Sequence, residues 1–353
     1  MANSVNKIYV LHEYGSSSHY NGLAYLCEEH GIQIVYREFR FLHLIGSGIK
    51  HRNLGRIFKQ AVNFLFLLSL LFTRGKKIVL GMYPYDKRLP ILSFLLRNHV
   101  IYYHTSYTTW FPEEMERTHG VSKRKQQRLK RFINVQVRHI FAVTTKAKES
   151  LCAFTGVEDS KVSVVYHSYR KQLNKGIIPP LENYIYVGRM DVSKGIEEMC
   201  QYFLAHPKLT LTLIGVGNLV PLIQKYMKNS TNIKYVGFVK GLDKLKEYYK
   251  NNAYFILNSK RTKEWEELFG QVVIEAMSCG CVPICSNHSG PKEIITSGVN
   301  GFLFDENKFE ECLNQIQSYM TNKKFEKMRN EAYSRGHDFE SRKIAKKWIK
   351  VLS

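Results

Sequence analysis

The sequence has 353 residues, of which 44% are hydrophobic and 23% are charged, a composition typical of globular proteins that excludes a chain disordered over its whole length. Lysine and arginine (52) outnumber aspartate and glutamate (30), so the net charge is +22, and 7 cysteines are too few for a disulfide scaffold. The length predicts two domains and allows three.

The positive charge is concentrated in the first half of the chain. Residues 1–175 contain 27 basic and 11 acidic side chains, whereas the remaining residues contain 25 and 19. Such a field attracts nucleic acid, anionic lipid headgroups or phosphorylated substrates, and charge alone does not distinguish among them. No basic segment followed by an apolar one opens the sequence, so we expect no secretory signal and a cytoplasmic protein.

Short apolar segments alternate with amphipathic ones, which predicts parallel β-sheets in two doubly wound α/β domains. In the first half, the predicted strands are Lys7–Leu11, Ile32–Tyr36, Lys77–Leu80, Val100–Tyr103, Ile140–Val143 and Val162–Tyr166. In the second half, they are Tyr184–Val187, Leu209–Ile214, Ile233–Val236, Tyr254–Leu257 and Val282–Ser286.

The longest apolar stretch is Ala61–Phe72, interrupted only by Asn63 and Ser69. A membrane-spanning helix needs roughly 20 residues, which is longer than this stretch. The stretch therefore predicts a buried core helix, with a segment that dips into a membrane as the alternative, and we expect no helix that crosses a bilayer.

The segment Lys123–Arg131 is unusually basic, with the sequence KRKQQRLKR. It fits a solvated helix face, a contact with an anionic membrane surface or, less well, a contact with nucleic acid. On a helix, Leu129, Phe132 and Ile133 would form an apolar edge beside the charges, as in helices that lie at a membrane interface. Three further basic residues of the same domain fit that interpretation: Arg52, Arg56 and Lys59. We therefore expect the first domain to meet an anionic bilayer.

The domain boundary is predicted at Lys171–Leu181, because two consecutive prolines there disfavour a helix. We assign residues 1–175 to the first domain, residues 176–335 to the second, and residues 336–353 to a C-terminal helix. That helix must bury an apolar stripe, either on the second domain or by crossing back to the first. The stripe consists of Ile344, Trp348 and Val351 or Leu352.

The segment Glu267–Gly301 contains two glutamates, Glu267 and Glu275, on either side of Gly270. Gly270 predicts a turn into a helix that contains Glu275. A helix start presents free N–H groups and the positive end of the helix dipole, which bind anions. Glu275 would lie roughly 7.5 Å along the axis, level with the ribose of a nucleotide diphosphate. Glu267 would lie on the other side of the phosphate, so the two carboxylates predict a nucleotide-sugar site.

Two cations precede this segment. Arg189 and Lys194 follow the first strand of the second domain, at the strand end where open α/β sheets bind ligands. A single arginine or lysine at such a position is more often a solvated surface charge. Together with the glutamate pair, however, two cations that face a helix start predict a site that holds a leaving diphosphate.

These motifs resemble those of the retaining glycosyltransferases of family 4 in the carbohydrate-enzyme classification, a large GT-B family (glycosyl transferases group 1) that includes bacterial mannosyl- and glucosyltransferases. The resemblance is carried by the glutamate pair with its FG, EAM, GxVP, SGxxEII and GxNG continuation. It is carried as well by Gly188–Gly195 (GRx4KG), Leu213–Gly217 (LIGVG) and Tyr235–Gly237 (YVG). The motifs cover residues 184–305, and the first half matches mainly in layout.

The resemblance implies a GT-B fold, in which two Rossmann-like domains face a cleft and the nucleotide sugar binds mainly to the second. It implies that Arg189 and Lys194 bind the diphosphate, while Glu275 holds the ribose and Glu267 holds hydroxyl groups of the donor sugar. Backbone groups at the donor would come from Gly188, Leu268, Phe269, Gly270 and Gln271. Ser289-Gly290 stands where the family usually has two glycines.

In the first domain, the resemblance implies two further site residues. Gly15 would belong to a loop opposite the donor phosphate, although three serines follow it where the family often has more glycine. His104, after the predicted strand Val100–Tyr103, corresponds to a histidine near the transferred sugar. His167-Ser168 replaces the Asn-Gly that is usual for the family. We therefore take Glu267, His104, Arg189 and Lys194 as candidate catalytic residues and the others as substrate-binding residues.

The resemblance implies transfer of a hexose or N-acetylhexosamine from a UDP- or GDP-sugar to a hydroxyl group of a glycan acceptor, with retained configuration. We expect a lipid-linked acceptor in surface polysaccharide biosynthesis, and a peripheral protein on the inner face of the membrane. The alternatives are another GT-B enzyme, either an inverting transferase or a sugar-nucleotide epimerase, and more distantly a basic nucleic-acid-binding protein.

Four potential metal ligands lie close together in the second domain: Cys279, Cys281, Cys285 and His288. Their spacing resembles a zinc site only superficially, because they fall on a predicted helix end and strand, where buried cysteine is common. The sequence also lacks an Asp-x-Asp triplet that would hold a nucleotide-bound cation. We therefore expect no metal and no cofactor, since the nucleotide sugar is a substrate.

Overall fold

The computed structural model describes residues 6–40, 54–111, 121–170, 173–262 and 265–353. The chain forms two compact units, of which the first is Met1–Arg170 with Ser341–Ser353 and the second is Lys171–Glu340. The boundary thus lies between residues 170 and 171, whereas the sequence placed it between residues 175 and 176. The return to the first unit begins at Ser341, later than the predicted start of the C-terminal segment at residue 336.

The first unit is built on a parallel six-stranded sheet with the order β2-β1-β3-β4-β5-β6. Its strands are β1 (Lys7–His12), β2 (Gln33–Glu38), β3 (Lys77–Gly81), β4 (Val100–Thr105), β5 (Val137–Ala142) and β6 (Val162–Val164). Each predicted strand of this half overlaps one of them, because strands buried on both faces appear as short apolar segments.

Helices cover both faces of this sheet. They are α1 (Asn21–Glu29), α2 (Leu54–Ser69), α3 (Leu89–Leu96), α4 (Lys123–Arg131), α5 (Thr145–Thr155) and, from the chain end, α13 (Ser341–Ala345). Short 3-10 turns lie at Ser17–Tyr20 and Asp159–Lys161, and a π-helical turn lies at Phe132–Gln136. Alternate strand residues point to opposite faces, so Leu80 belongs to the core cluster that includes residues of α2 to α5, whereas Val79 belongs to the cluster that includes residues of α1 and the chain end.

The C-terminal segment is not the single helix that the sequence predicts. It consists of α13 followed by a 3-10 helix at Lys346–Val351. Its apolar stripe is buried on the first unit, where Ile344 is 2% and Trp348 is 1% exposed. The Trp348 ring lies 4.3 Å from the ring of Phe141, between centroids. The chain end therefore completes the core on one face of the first sheet.

The second unit contains another parallel six-stranded sheet, with the order β12-β11-β10-β7-β8-β9. Its strands are β7 (Asn183–Val187), β8 (Thr210–Ile214), β9 (Ile233–Gly237), β10 (Tyr254–Leu257), β11 (Val282–Ser286) and β12 (Phe302–Phe304). The sequence analysis did not predict β12, which has only three residues.

Seven helices of the second unit fall within the described residues. They are α6 (Ile196–Ala205), α7 (Val220–Lys228), α8 (Leu242–Lys250), α9 (Gln271–Ser278), α10 (Ser289–Ile294), α11 (Phe309–Tyr319) and α12 (Asn322–His337), and a 3-10 turn at Val192–Lys194 precedes α6. The strand order reverses at β7. Strands β8 and β9 follow on one side of β7, and strands β10, β11 and β12 follow on the other.

The prediction that Ala61–Phe72 forms a buried core helix holds for one side of the helix only, where Phe66 and Leu67 belong to the core of the first unit. The buried side of α2 carries Gln60 and Asn63, whose amides contact the buried carboxylate of Glu38. The opposite side exposes large apolar side chains. A buried carboxylate needs hydrogen-bond donors, and these two amides of α2 supply them. Across the described segments, no helix has the length and hydropathy needed to span a bilayer.

The apolar edge predicted beside the charges of α4 points into the protein. Leu129, Phe132 and Ile133 are at most 2% exposed and belong to the core of the first unit. A helix that covers a sheet must bury its apolar side there, so the basic residues of α4 form a solvated outer face. The interpretation of Lys123–Arg131 as an interfacial helix is therefore wrong. Arg52, which was grouped with it, lies outside the described residues.

Candidate functional site

The candidate residues of the second unit follow three neighbouring strands of its sheet. Lys194 follows β7, Ser259 follows β10 and His288 follows β11. Because β7 pairs with β10 but continues to β8, the loops after β7 and β10 run to opposite sides. Such a reversal of strand order leaves a crevice at the carboxyl ends of the strands, where open α/β sheets bind ligands.

The central contact at this edge is an ion pair between Lys194 and Glu267. Nζ of Lys194, a residue that is only 7% exposed, lies 2.6 Å from Oε2 of Glu267. Ser259 Oγ lies 3.3 Å from the same oxygen and 3.4 Å from the lysine nitrogen. No donor among the described residues contacts Oε1 of Glu267. That oxygen therefore remains available to a ligand hydroxyl.

Trp265 covers the buried lysine. Its ring centroid lies 4.1 Å from Lys194 Nζ, within the range of a cation–π contact. The ring, the carboxylate of Glu267 and the hydroxyl of Ser259 together offset the free energy needed to bury a charge. An ammonium group has three N–H donors, so one remains for an anionic ligand after the contacts with Glu267 and Ser259.

The turn after β11 fixes the backbone of Glu267 on both sides. The N–H of Glu267 donates to Nδ1 of His288 at 3.0 Å, and its carbonyl oxygen accepts from the N–H of Gly290 at 2.9 Å. Burial lowers the pKa of His288, so the ring is neutral at pH 7 and carries its proton on Nε2, which lies 3.1 Å from Glu306 Oε1. These contacts orient Glu267 toward Lys194.

Gly290 lies directly against the backbone of Phe269. A Cβ atom at Gly290 would lie 2.3 Å from the backbone nitrogen of Phe269, so no other residue fits without displacing that segment. Ser289, which replaces the first glycine of the usual pair, donates to the carboxylate of Glu266 at 3.0 Å. Of these two positions, the close approach to Phe269 thus requires glycine at Gly290.

Helix α9 begins after Gly270, whose φ of +94° favours glycine. Gly270 has no side chain to cap the helix, so the N–H groups of the first turn can bind an anion. Within α9, the amide of Gln271 donates to Glu275 Oε1 at 3.2 Å. Burial raises the pKa of Glu275 to about 7, against the opposing effect of this hydrogen bond. Leu268 and Phe269 directly precede this turn.

Arg189 and Lys194 lie in different surroundings. The side chain of Arg189 is 66% exposed, and its Nη1 lies 3.0 Å from Oδ2 of Asp191. The loop that carries it is tightly packed, since a Cβ atom at Gly215 would lie 1.8 Å from the carbonyl oxygen of Gly188. This close contact explains the glycine at position 215, whereas a Cβ atom at Gly188 would lie 2.6 Å from the hydroxyl oxygen of Tyr186.

His104 lies in the first unit, at the end of β4. It lines a cavity of about 150 Å³ together with residues that follow β1 and β3. The residue is 4% exposed, and Nε2 of its ring has no hydrogen-bond partner among the described residues. Burial lowers the pKa of His104 well below its ordinary value. Gly15, with a φ of +87°, lies near this edge against the carboxylate of Glu38.

Three other histidines gather near His104, which the sequence did not predict. His12 and His19 line the same cavity, and the rings of His19 and His167 are 4.3 Å apart. Burial lowers the pKa of His12 to about 4 and also lowers the pKa of the other two. The four rings are therefore neutral near pH 7 and can exchange hydrogen bonds with a neutral polyhydroxyl ligand.

Within the described residues, no group of three or more His, Cys, Asp or Glu side chains is arranged to hold a metal ion. Cys279, Cys281 and Cys285 are buried, and Cys281 Sγ donates to the carbonyl oxygen of Tyr249 at 2.9 Å. His288, the fourth member of that sequence cluster, contacts Glu267 instead.

Sequence reasoning missed three residues of the Lys194–Glu267 contact: Ser259, Trp265 and His288. The position of Ser259, just after a predicted strand, was a usable signal, because ligand sites in α/β sheets lie there. His288 had the same signal, since it follows the predicted strand Val282–Ser286. Trp265 had no such signal, because its role depends on a contact between separate loops.

Residues 171–336 match the family model described as glycosyl transferases group 1. Sucrose synthase 5 of Arabidopsis thaliana is 28% identical over 156 residues, which cover 38% of this chain and 18% of that protein. This chain therefore spans much less than two thirds of that relative.

Two solved structures resemble the chain over 98% of its length and cover 99% of their own chains. Anabaena Alr3699/HepE in complex with UDP-glucose has a TM-score of 0.67 at 15% identity. The lipopolysaccharide outer core galactosyltransferase WaaB has a TM-score of 0.64 at 17% identity. These likenesses confirm the predicted GT-B fold.

Proposed function

We propose that the protein is a retaining glycosyltransferase that uses a nucleotide-diphosphate sugar, a proposal supported by the match of residues 171–336 to the glycosyl transferases group 1 model. It transfers a hexose or N-acetylhexosamine to a hydroxyl group of a glycan acceptor. The observation that carries the proposal is the buried Lys194–Glu267 pair at the reversal of strand order, close in the chain to the uncapped start of α9.

In this proposal, the donor diphosphate binds the first-turn N–H groups of α9 and the remaining N–H of Lys194, with Arg189 as a second cation. Glu275 accepts hydrogen bonds from the ribose, and Oε1 of Glu267 accepts one from the donor sugar. As the bond between sugar and phosphate breaks, charge develops on the leaving oxygen, and these cations and backbone dipoles stabilise it. The acceptor oxygen attacks from the same face, and its proton passes to the leaving phosphate.

We propose UDP-sugars as the donors to test first, because the HepE structure that resembles this chain contains UDP-glucose. GDP-sugars remain the second choice. The acceptor binds to the first unit, where His104 Nε2 lacks a partner among the described residues and offers a hydrogen bond to a hydroxyl. We propose a lipid-linked acceptor in surface polysaccharide synthesis at the inner face of the membrane. WaaB, which acts on lipopolysaccharide, supports that class.

The first test is binding, measured as the shift in melting temperature with UDP, GDP and their sugars. A selective shift with one diphosphate supports the proposal, whereas no shift with any of them contradicts it. With the donor identified, the anomeric configuration of the product by NMR distinguishes retention from inversion, and product without acceptor would indicate an epimerase. We propose that no metal is required, so turnover should persist in EDTA.

The second test removes the central cation. Lys194→Ala should lower turnover by roughly 100-fold, the typical effect of losing one group that stabilises transition-state charge. The matched control is Lys208→Ala, which removes an exposed lysine of the same unit and should leave turnover unchanged. Near-normal turnover of Lys194→Ala, with the protein still folded, would remove Lys194 from the mechanism.

A further inference from the structure

The ring of His104 lies among three other rings of the first unit. Between centroids, Tyr20 lies at 4.8 Å, Trp348 at 5.5 Å and His167 at 5.8 Å. Of these three, Trp348 is the ring that stacks on the imidazole, with 28° between the two planes, whereas the other two are tilted by 51° and 53°. The χ2 angle of a histidine has only broad minima, so a nearly parallel ring that limits this rotation decides how the imidazole is oriented.

The indole of Trp348 is itself held in a fixed position. It belongs to the chain-end segment that begins at Ser341, and this segment is tied to the first unit at both ends. The N–H and Oγ of Ser341 donate to the carbonyl oxygen of Tyr169 at 2.9 and 2.8 Å. The hydroxyl of Tyr102 donates to the carbonyl oxygen of Ser353 at 3.0 Å. Between these ties, Trp348 is 1% exposed.

Helix α1 approaches the indole closely, because it has a glycine at the point of contact. A Cβ atom at Gly22 would lie 3.2 Å from Nε1 of Trp348 and 2.9 Å from Cγ2 of Ile344. The ring of Phe141, on β5, lies 4.3 Å from the indole between centroids. The indole is therefore enclosed between α1 and the sheet, and little room remains for it to move away from His104.

We propose that Trp348 is a positioning residue for His104: the chain-end segment holds the imidazole in the orientation in which it binds a hydroxyl group of the acceptor. The inference rests on the proposed function for that contact with the acceptor. Trp348 lies beyond residues 171–336, which match the family model. The described residues that line the cavity include His104 but not Trp348, so the indole acts through the imidazole.

The first experiment follows His104 by NMR in protein labelled at the histidine Cε1 atoms, with His104→Ala to assign its signal. Burial and the neighbouring His12 and His19 lower the pKa of His104, so the wild-type ring should stay neutral where an ordinary histidine titrates, at about 6.5. Trp348→Leu should admit water to the uncovered face of the imidazole and raise its pKa into that range.

Two variants control this measurement. Ile344→Ala removes another side chain of the same segment and the same core cluster, and it should leave the His104 signal unchanged. Trp348→Phe keeps an aromatic ring beside the imidazole and should stay close to the wild type. An unchanged His104 signal in Trp348→Leu overturns the proposal. Where Trp348→Leu does not fold, Trp348→Met replaces it in both experiments, because the flexible methionine side chain fills irregular space.

The second experiment measures kcat and KM for the wild type, Trp348→Leu, His104→Ala and the double variant. Trp348→Leu should lower kcat roughly tenfold or more, because a misplaced group loses its geometry with the substrate. In the His104→Ala background, the same substitution should lower kcat by less than about twofold, since the group that it positions is already absent. A merely structural role would lower kcat by the same factor in both backgrounds, and this result also overturns the proposal.

Failure of the proposed function has a different signature. A wild-type protein that transfers no sugar from any donor contradicts the proposed function. The NMR comparison needs no substrate, so it alone then decides whether Trp348 holds the imidazole of His104.

Discussion

Replacing Glu275 by glutamine tests the burial of the carboxyl group that is assigned to the ribose. Burial raises the pKa of Glu275 from 4.5 to about 7. Between these two values, the folded protein binds a proton that the unfolded chain releases, so the free energy of unfolding falls as the pH rises through this window. The loss is about 1.4 kcal/mol per pH unit, or at most about 3 kcal/mol over the window.

Glutamine keeps the shape of the side chain and removes its charge. We therefore expect Glu275→Gln to be more stable than the wild type by up to about 3 kcal/mol at about pH 8, with the difference vanishing below about pH 4.5. Urea unfolding followed by circular dichroism at both pH values measures the difference. A stability difference that does not change with pH would show that Glu275 ionises as freely in the folded protein as in the unfolded chain.

Although Glu275→Gln should stabilise the folded protein, it should weaken nucleotide binding. A carboxylate that accepts hydrogen bonds from ribose hydroxyls contributes about 1.5–3 kcal/mol, so Glu275→Gln should weaken UDP binding by roughly 10- to 100-fold. In the wild type, UDP affinity should rise as the pH increases through about 7, because the carboxylate is the better acceptor. Isothermal titration calorimetry measures both effects. Equal affinity of the two proteins would leave Glu275 without a role at the donor.

Three further substitutions test the packing around the site. Gly290→Ala should cost about 1–3 kcal/mol of stability through its backbone clash and lower turnover, whereas Gly298→Ala, which has open space, should cost about 1 kcal/mol and preserve turnover. His288→Leu should lower kcat roughly tenfold at nearly constant melting temperature, because Glu267 loses its backbone anchor, and His288→Asn should restore part of it by supplying an acceptor. Trp348→Ala should cost about 3–5 kcal/mol in urea unfolding, because it opens a cavity in the first core.

Local sequence patterns were sufficient to predict most of the fold. Eleven of the twelve strands follow from apolar segments separated by amphipathic ones, and only the three-residue β12 was missed. The start of α9 follows from Gly270, and the anion-binding property of a helix start follows from its free N–H groups. These predictions succeed because backbone geometry and hydrophobic periodicity depend on residues that are close together in the chain.

The orientation of α2 could not be predicted in this way. Its sequence predicts a core helix, since its apolar residues outnumber its polar ones. The structure buries one side of α2, where the two amides contact Glu38 from another part of the chain and Phe66 and Leu67 join the core, and it exposes the other side. Which residues of α2 are buried therefore depends on contacts with separate elements.

The amino-acid sequence by itself was sufficient to predict the strand pattern and to identify the family resemblance. The tertiary structure alone decided that Lys194 pairs with Glu267 under Trp265, that His288 holds the backbone of Glu267, and that the amides of α2 contact the buried Glu38. The physical reason is that each of these contacts joins residues from separate loops or elements, whose meeting depends on how the sheets order their strands.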